Sequence, residues 1–209
     1  MTIMSATRVL NYRFQPKDGR DILMREFTPF LKAAIAIPSS VDLTDECSSV
    51  YDQGELGSCT ANALAGCMEF RAMAQNGGDL PRNFSRLGLY WDERRAMGLF
   101  YVRQDSGSYL RTGIKVMARN GVGDEKIWPY DVSRFKDKPS LAYYADASRW
   151  QVTEYANLAG STNEETLHNL RESLARGYPF AFGVQVYDSF MSAKTGTIPF
   201  PNLKTEACQ

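Results

Sequence analysis

A cysteine placed between a glycine-rich turn and an alanine-rich run most narrows what this chain can become. The segment reads Asp52-Gln53-Gly54-Glu55-Leu56-Gly57-Ser58-Cys59-Thr60-Ala61-Asn62-Ala63. Over residues 60–75 the apolar positions Ala61, Leu64, Ala65, Met68 and Ala72 recur at helical spacing, and Gly77 and Gly78 supply a stop. Cys59 is therefore expected at a helix start, where unpaired backbone N–H groups and the macrodipole favour a thiolate. Gly54 and Gly57 permit a tight turn close to a bound chain, and the Gln53 amide is placed to donate to an oxyanion. These parts suit a nucleophilic thiol. A buried, inert cysteine is the competing reading.

Composition excludes several alternatives. At 209 residues the chain fits one large domain or two small lobes sharing a cleft, and 44% hydrophobic content supports a real core. The 24 basic residues equal the 24 acidic ones, so nothing favours nucleic acid or an anionic membrane as a partner. The apolar patch over residues 27–37 is too short to span a bilayer and is broken by Pro29 and Lys32. The polar stretch Asn11-Tyr12-Arg13-Phe14-Gln15-Pro16-Lys17-Asp18 stands where a secretory signal would keep its apolar region. Cys47, Cys59, Cys67 and Cys208 show no metal-ligand spacing, so no metal and no cofactor is expected. Cys67 reads as a packed small apolar residue on the Cys59 helix. A reducing, cytoplasmic setting is the expectation.

Helical patterns dominate the first half of the chain. After the Cys59 helix, residues 84–91 read as a second, and residues 109–120 as a third, with Leu110, Ile114 and Met117 on one face and Gly121 at its end. A charged linker is expected over residues 133–148. Residues 150–155 and 180–186 then read as strands. Between them residues 162–176 form an amphipathic helix with Leu167, Leu170 and Leu174 inward, Thr162 and Glu165 at capping-box spacing and Gly177 at its exit. Helices first and strands later is an α+β order.

The string around Cys59 resembles the active-site segment of papain-like cysteine peptidases, the C1 family, in which Gln-Gly-x-Cys-Gly-Ser-Cys leads into small residues. Gln53, Gly54, Gly57, Ser58 and Cys59 match it; Leu56 replaces the upstream half-cystine and Thr60 the aromatic residue after the nucleophile. With Pro38-Ser39-Ser40-Val41-Asp42-Leu43 ahead, the pattern looks like the bacterial and viral branch. The resemblance extends to Phe84-Ser85-Arg86-Leu87-Gly88-Leu89-Tyr90, to Trp128-Pro129-Tyr130, to Gly177-Tyr178-Pro179-Phe180 through Phe190, and to the loop Thr195-Gly196-Thr197-Ile198-Pro199. It implies a two-lobed fold with a helical left lobe at about 38–132 and a β-rich right lobe, incomplete at its C-terminus, at about 133–209. It also implies that residues 1–37 are a leader resembling a propeptide; a surface-packed arm is the other reading. Polypeptides are the implied substrate, hydrolysed through an acyl-enzyme on Cys59, with the Gln53 side chain and the Cys59 N–H as oxyanion hole. Gly57 and Ser58 would line the substrate site. Asp105-Ser106-Gly107-Ser108-Tyr109-Leu110-Arg111 resembles the glycine-containing stretch that pairs with substrate, which puts Gly107 and Ser108 in the cleft; as a bare loop, Ser108 would cap the third helix.

The family's base is a histidine about 130–150 residues after the cysteine, oriented by an asparagine. The one histidine here, His168, follows Cys59 by only about 110 residues and is expected on the solvent side of its helix, beyond reach of the thiol. The family's Gly-Gly-His-Ala-Val and Asn-Ser-Trp-Gly motifs would begin where this sequence stops, so the chain is expected to be truncated before them. An inactive pseudo-peptidase or peptide-binding fragment is the alternative, and another Cys-His hydrolase, such as a cell-wall amidase, a third.

Overall fold

The computed structural model describes residues 12–26, 35–193 and 197–208. Most of the apolar patch at 27–37, and Thr195 and Gly196 of the loop match, lie outside these. Six α-helices are described: α1 Cys59–Gln75, α2 Arg86–Met97, α3 Leu110–Asn120, α4 Leu141–Ala147, α5 Asn163–Ala175 and α6 Asp188–Ser192.

The first helix begins and ends where the sequence says it should. Alanine-rich composition favours α1 intrinsically, and Gly77 and Gly78 end it with φ of 70° and 99°, values that cost glycine nothing. Helix α2 is capped by Ser85, whose hydroxyl accepts from the Gly88 N–H at 3.1 Å. It runs on to Met97, well past residue 91. Residues Arg86 to Arg94 are all buried, so α2 is the central rod of the helical half, with α1 and α3 packed against it. The core gathers Leu64, Ala65, Phe84, Leu87, Leu89, Tyr90, Val116, Met117, Val122, Trp128 and Tyr143.

Of the acidic and basic side chains that α2 buries, Glu93 and Arg94 are the most enclosed. Arg94 is fully buried and donates to four backbone carbonyls, those of Tyr90, Val102, Gln104 and Phe135. Its donors are thus satisfied without a carboxylate bond, and burial lowers its affinity for the proton. Glu93 beside it is buried as completely.

The expected linker over residues 133–148 is instead an ordered part of the core. It holds a short 3₁₀ turn, Val132–Arg134, and α4, capped by Ser140. Helix α4 plants the Tyr143 ring where a Cβ at Gly88 or Gly123 would stand 2.5 or 2.7 Å from ring carbons. Two glycines far apart in sequence make room for one aromatic ring, which charge content alone conceals.

The second half departs further from the alternation in its sequence. Among the described residues no strand ladder forms; only isolated bridges join Leu23 with Asn157, Phe84 with Asp124 and Tyr187 with Cys208. Backbone groups of the expected strand at 150–155 turn to the helical half, with Val122 N–H donating to Trp150 O and Val152 N–H to Met117 O. A strand exists only by pairing, and here these ladder positions are already taken. In α5 the capping box is nearly as expected: Thr162 accepts from the Glu165 N–H at 3.1 Å, while the Glu165 carboxylate returns to Ser161 rather than to the cap residue. Leu167, expected inward, is 48% exposed.

Candidate active site

Cys59 is the first residue of α1, preceded by the turn 53–58. A layer of polar side chains holds this turn from below. The Tyr130 hydroxyl donates to Gln53 O at 3.0 Å and meets Ser58 Oγ at 2.5 Å; the Asn62 amide donates to both Ser58 O and Oγ at 2.9 Å. Arg86 completes the layer. Its guanidinium lies over the Tyr51 and Tyr130 rings at 4.0 and 4.1 Å, binds Glu125 with Nε and Nη2 at 3.0 and 2.7 Å, and reaches Asn62 Oδ1 at 3.1 Å. A planar cation between two rings with a bidentate carboxylate partner is stiff as well as strong. The turn is thereby fixed before any substrate arrives.

A second clamp joins the turn to the loop ahead of α3. Asp105 accepts the Gly57 N–H at 2.9 Å with one oxygen and the Tyr90 hydroxyl with the other, while Tyr90 accepts the Gly107 N–H at 3.0 Å. Gly57 and Gly107, read from the sequence as lining one cleft, are thus tied through one carboxylate.

Other expectations change in the structure. Ser58 and Ser108 are fully buried. The Ser58 hydroxyl is bonded to Tyr130 and Asn62, so it supports the turn from within. Ser108 does not cap α3: the cap position is Tyr109, without a side-chain bond, and Ser108 Oγ has no partner. The Gln53 amide donates to Leu56 O at 2.9 Å, which leaves the second N–H of its NH₂ group. His168 stands on α5 with its side chain 61% exposed, 3.6 Å from Glu172.

Cys59 is half-buried, and its thiol is pushed above the ordinary value by desolvation first and the Glu93 carboxyl next. The N–H groups of Thr60 and of Cys59 itself pull the other way and do not prevail. The helix start favours a thiolate as expected, but burial outweighs it.

The described N-terminal arm crosses this region. Arg13 N–H donates to Ser108 O at 3.3 Å and its Nε to Ser106 O at 2.9 Å, with the guanidinium over Tyr101 and Tyr109. The ring of Tyr12 is 2.1 Å from where a Gly183 Cβ would be, and burial first, with Cys59 next, raises its hydroxyl above the ordinary value. Farther on, Arg111 grips Asp21 at 2.6 and 2.7 Å and takes the Gln15 side chain on its N–H. A recess of about 680 Å³ lies elsewhere, between α1, α3 and residues 150–159 and 178–182, with Leu64, Met68, Ile114, Trp150 and Phe180 in its wall.

Residues 37–207 match the family described as papain family cysteine protease. An uncharacterized peptidase C1-like protein of Acanthamoeba polyphaga mimivirus is 32% identical over 222 residues, covering 96% of this chain and 70% of that protein. Among solved structures, xylellain, a cysteine protease from Xylella fastidiosa, is 33% identical with a TM-score of 0.76, covering 99% of this chain and 79% of its own. Digestive procathepsin L 3 of the Tenebrio molitor larval midgut is 17% identical with a TM-score of 0.54, over 75% of this chain and 47% of its own, and shares the fold. The chain therefore belongs to the papain family of cysteine proteases.

Proposed function

We propose that Cys59 is the nucleophile of a peptide-bond hydrolase, with the free Gln53 amide N–H and the Cys59 backbone N–H as oxyanion donors. The observation that carries the reading is the start of α1 at Cys59 behind a turn held rigid by Tyr130, Asn62 and Arg86. A peptide would lie along the 105–108 loop and accept from, or donate to, its backbone, as the Arg13 N–H does to Ser108 O. Attack of the thiolate on the carbonyl carbon would form a C–S bond; the C–N bond would break as the amine leaves with a proton from the protonated histidine proposed below, and water would hydrolyse the acyl-enzyme.

The arm over residues 12–21 reads as part of a propeptide-like leader, since it occupies the loop a substrate would use and the family match begins at residue 37. The catalytic histidine and asparagine are proposed to come from chain beyond these 209 residues, with strands that pair to residues 180–186 in a β-rich second lobe. In support, His168 is solvent-facing, and the chain spans 70% of the mimivirus protein and 79% of xylellain. The test compares this chain, the same chain joined to its downstream coding sequence, and Cys59→Ser in each. The short form should bind a peptidyl electrophile at Cys59 without turning over a fluorogenic peptide; the long form should do both, and neither serine variant either. Turnover by the short form at the rate of the long one would overturn the missing base, and turnover by a serine variant the nucleophile.

A further inference from the structure

Glu93 is the one carboxyl that reaches from α2 to both walls of the nucleophile's surroundings. Its Oε2 accepts from the Thr60 hydroxyl at 2.6 Å, one residue after Cys59. Its Oε1 is buried without a partner and presses on α3 at Gly113, where a Cβ would stand 2.4 Å away. Ser108 Oγ, also buried and unpartnered, is near enough to act on this carboxyl although it is not in hydrogen-bond geometry with it. A fully buried carboxylate with one bond would be costly here; a carboxylic acid leaves no charge to desolvate, and its O–H can turn toward Ser108 Oγ.

We propose that Glu93 is a positioning residue for Cys59: its uncharged carboxyl holds the first turn of α1 through Thr60 and packs against α3 at Gly113, and ionising it in place withdraws the thiol from reaction. The inference rests on the reading of Cys59 as nucleophile.

Burial raises the Glu93 carboxyl to about 8, so it is neutral at physiological pH and ionises just above it. The charged groups around it would not relieve the new charge. On its own helix, Asp92 has the same sign, and Arg94 attracts it but has its donors on backbone carbonyls. From α1 comes Cys59 itself, and from the loop Asp105, which also opposes the thiolate. Helix α3 offers Gly113 there and no charge.

The test is the alkylation rate of Cys59 by iodoacetamide between pH about 6 and about 10, followed peptide by peptide so that Cys47, Cys67 and Cys208 are read separately. Glu93→Gln keeps the shape and the Thr60 contact and removes the ionisation. A nearby charge shifts a thiol by about one unit, tenfold in thiolate fraction; the lower nucleophilicity of a more acidic thiol returns part of that. E93Q should therefore react about threefold faster than wild type near pH 8.5, with a single sigmoid in place of a broadened one. Thr60→Val, which removes the one bond to the carboxylate and keeps Glu93 neutral to higher pH, should move the broadened limb upward; it decides the matter if E93Q does not fold. One and the same profile in wild type and in the folded variants would overturn the role of Glu93. A Cys59 that stays unmodified at every pH in every form would instead overturn its assignment as nucleophile.

Discussion

Replacing Arg86 by lysine tests whether the turn before Cys59 is held by guanidinium geometry or by charge alone. Lysine keeps the charge and one bond to Glu125, but it cannot bind both carboxylate oxygens while stacking between two rings. One charge-assisted hydrogen bond is worth about 1.5–3 kcal/mol, and each ring contact about 0.5–1 kcal/mol or more when desolvated. The Arg86 and Glu125 side chains are 9% and 18% exposed, so screening by water takes little of this. Allowing for what the ammonium recovers, Arg86→Lys should cost about 2–3 kcal/mol. Urea denaturation at neutral pH measures the loss, and a cycle with Glu125→Gln should give a coupling above about 1 kcal/mol. A lysine variant within about 0.5 kcal/mol of wild type, with no coupling, would falsify the account of the turn as a preorganised platform.

Gly121→Ala should destabilise by about 3 kcal/mol or more, read by thermal melting, because the position needs φ of 77° and a Cβ would stand 1.8 Å from Ala147 O. Gly113→Ala should cost about 1–3 kcal/mol and disturb Cys59 labelling, since the new methyl meets Leu64 Cδ1 and Glu93 Oε1 at 2.3 and 2.4 Å. Burial raises Asp92 to about 6 and Glu93 to about 8, so the fold holds protons that the unfolded chain has released. Their contribution is whole below about pH 4 and is lost as pH rises through the folded values; the urea midpoint should fall across that window, and less steeply in E93Q. Phe182, Met191, Phe200 and Leu203 are between 52% and 100% exposed, so this chain should self-associate at micromolar concentration, detectable by light scattering, and Phe200→Ser should reduce it.

The sequence was most legible where short-range rules act alone. The span of α1, its Gly77–Gly78 exit, the Thr162 cap and the solvent-facing His168 follow from propensity, capping chemistry and periodicity over a few residues. The second half was less legible because strand character depends on partners that local alternation cannot supply. The polar layer was missed for another reason. Arg86, Glu93 and Arg94 lie on a helix buried on every face, so no periodicity marks which charges turn inward. The available cue was Ser85 followed by a helix rich in both charge and aromatics, with Gly88 and Gly113 as points of close approach.

Arg94 bears on how the helical half comes apart. Its guanidinium is bonded to carbonyls from three separate stretches, within α2, at residues 102–104 and at Phe135. Peeling away any one stretch strands a buried cation with orphaned donors, so a half-assembled state is poorer than either end of the reaction. Such a group makes opening all-or-none. Amides in the 98–105 loop, which by position should exchange with solvent as a loop does, should exchange at the rate of global unfolding instead. The loop that carries Asp105 and Gly107 to the turn before Cys59 should then be as durable as the core it decorates, its geometry surviving every fluctuation short of denaturation.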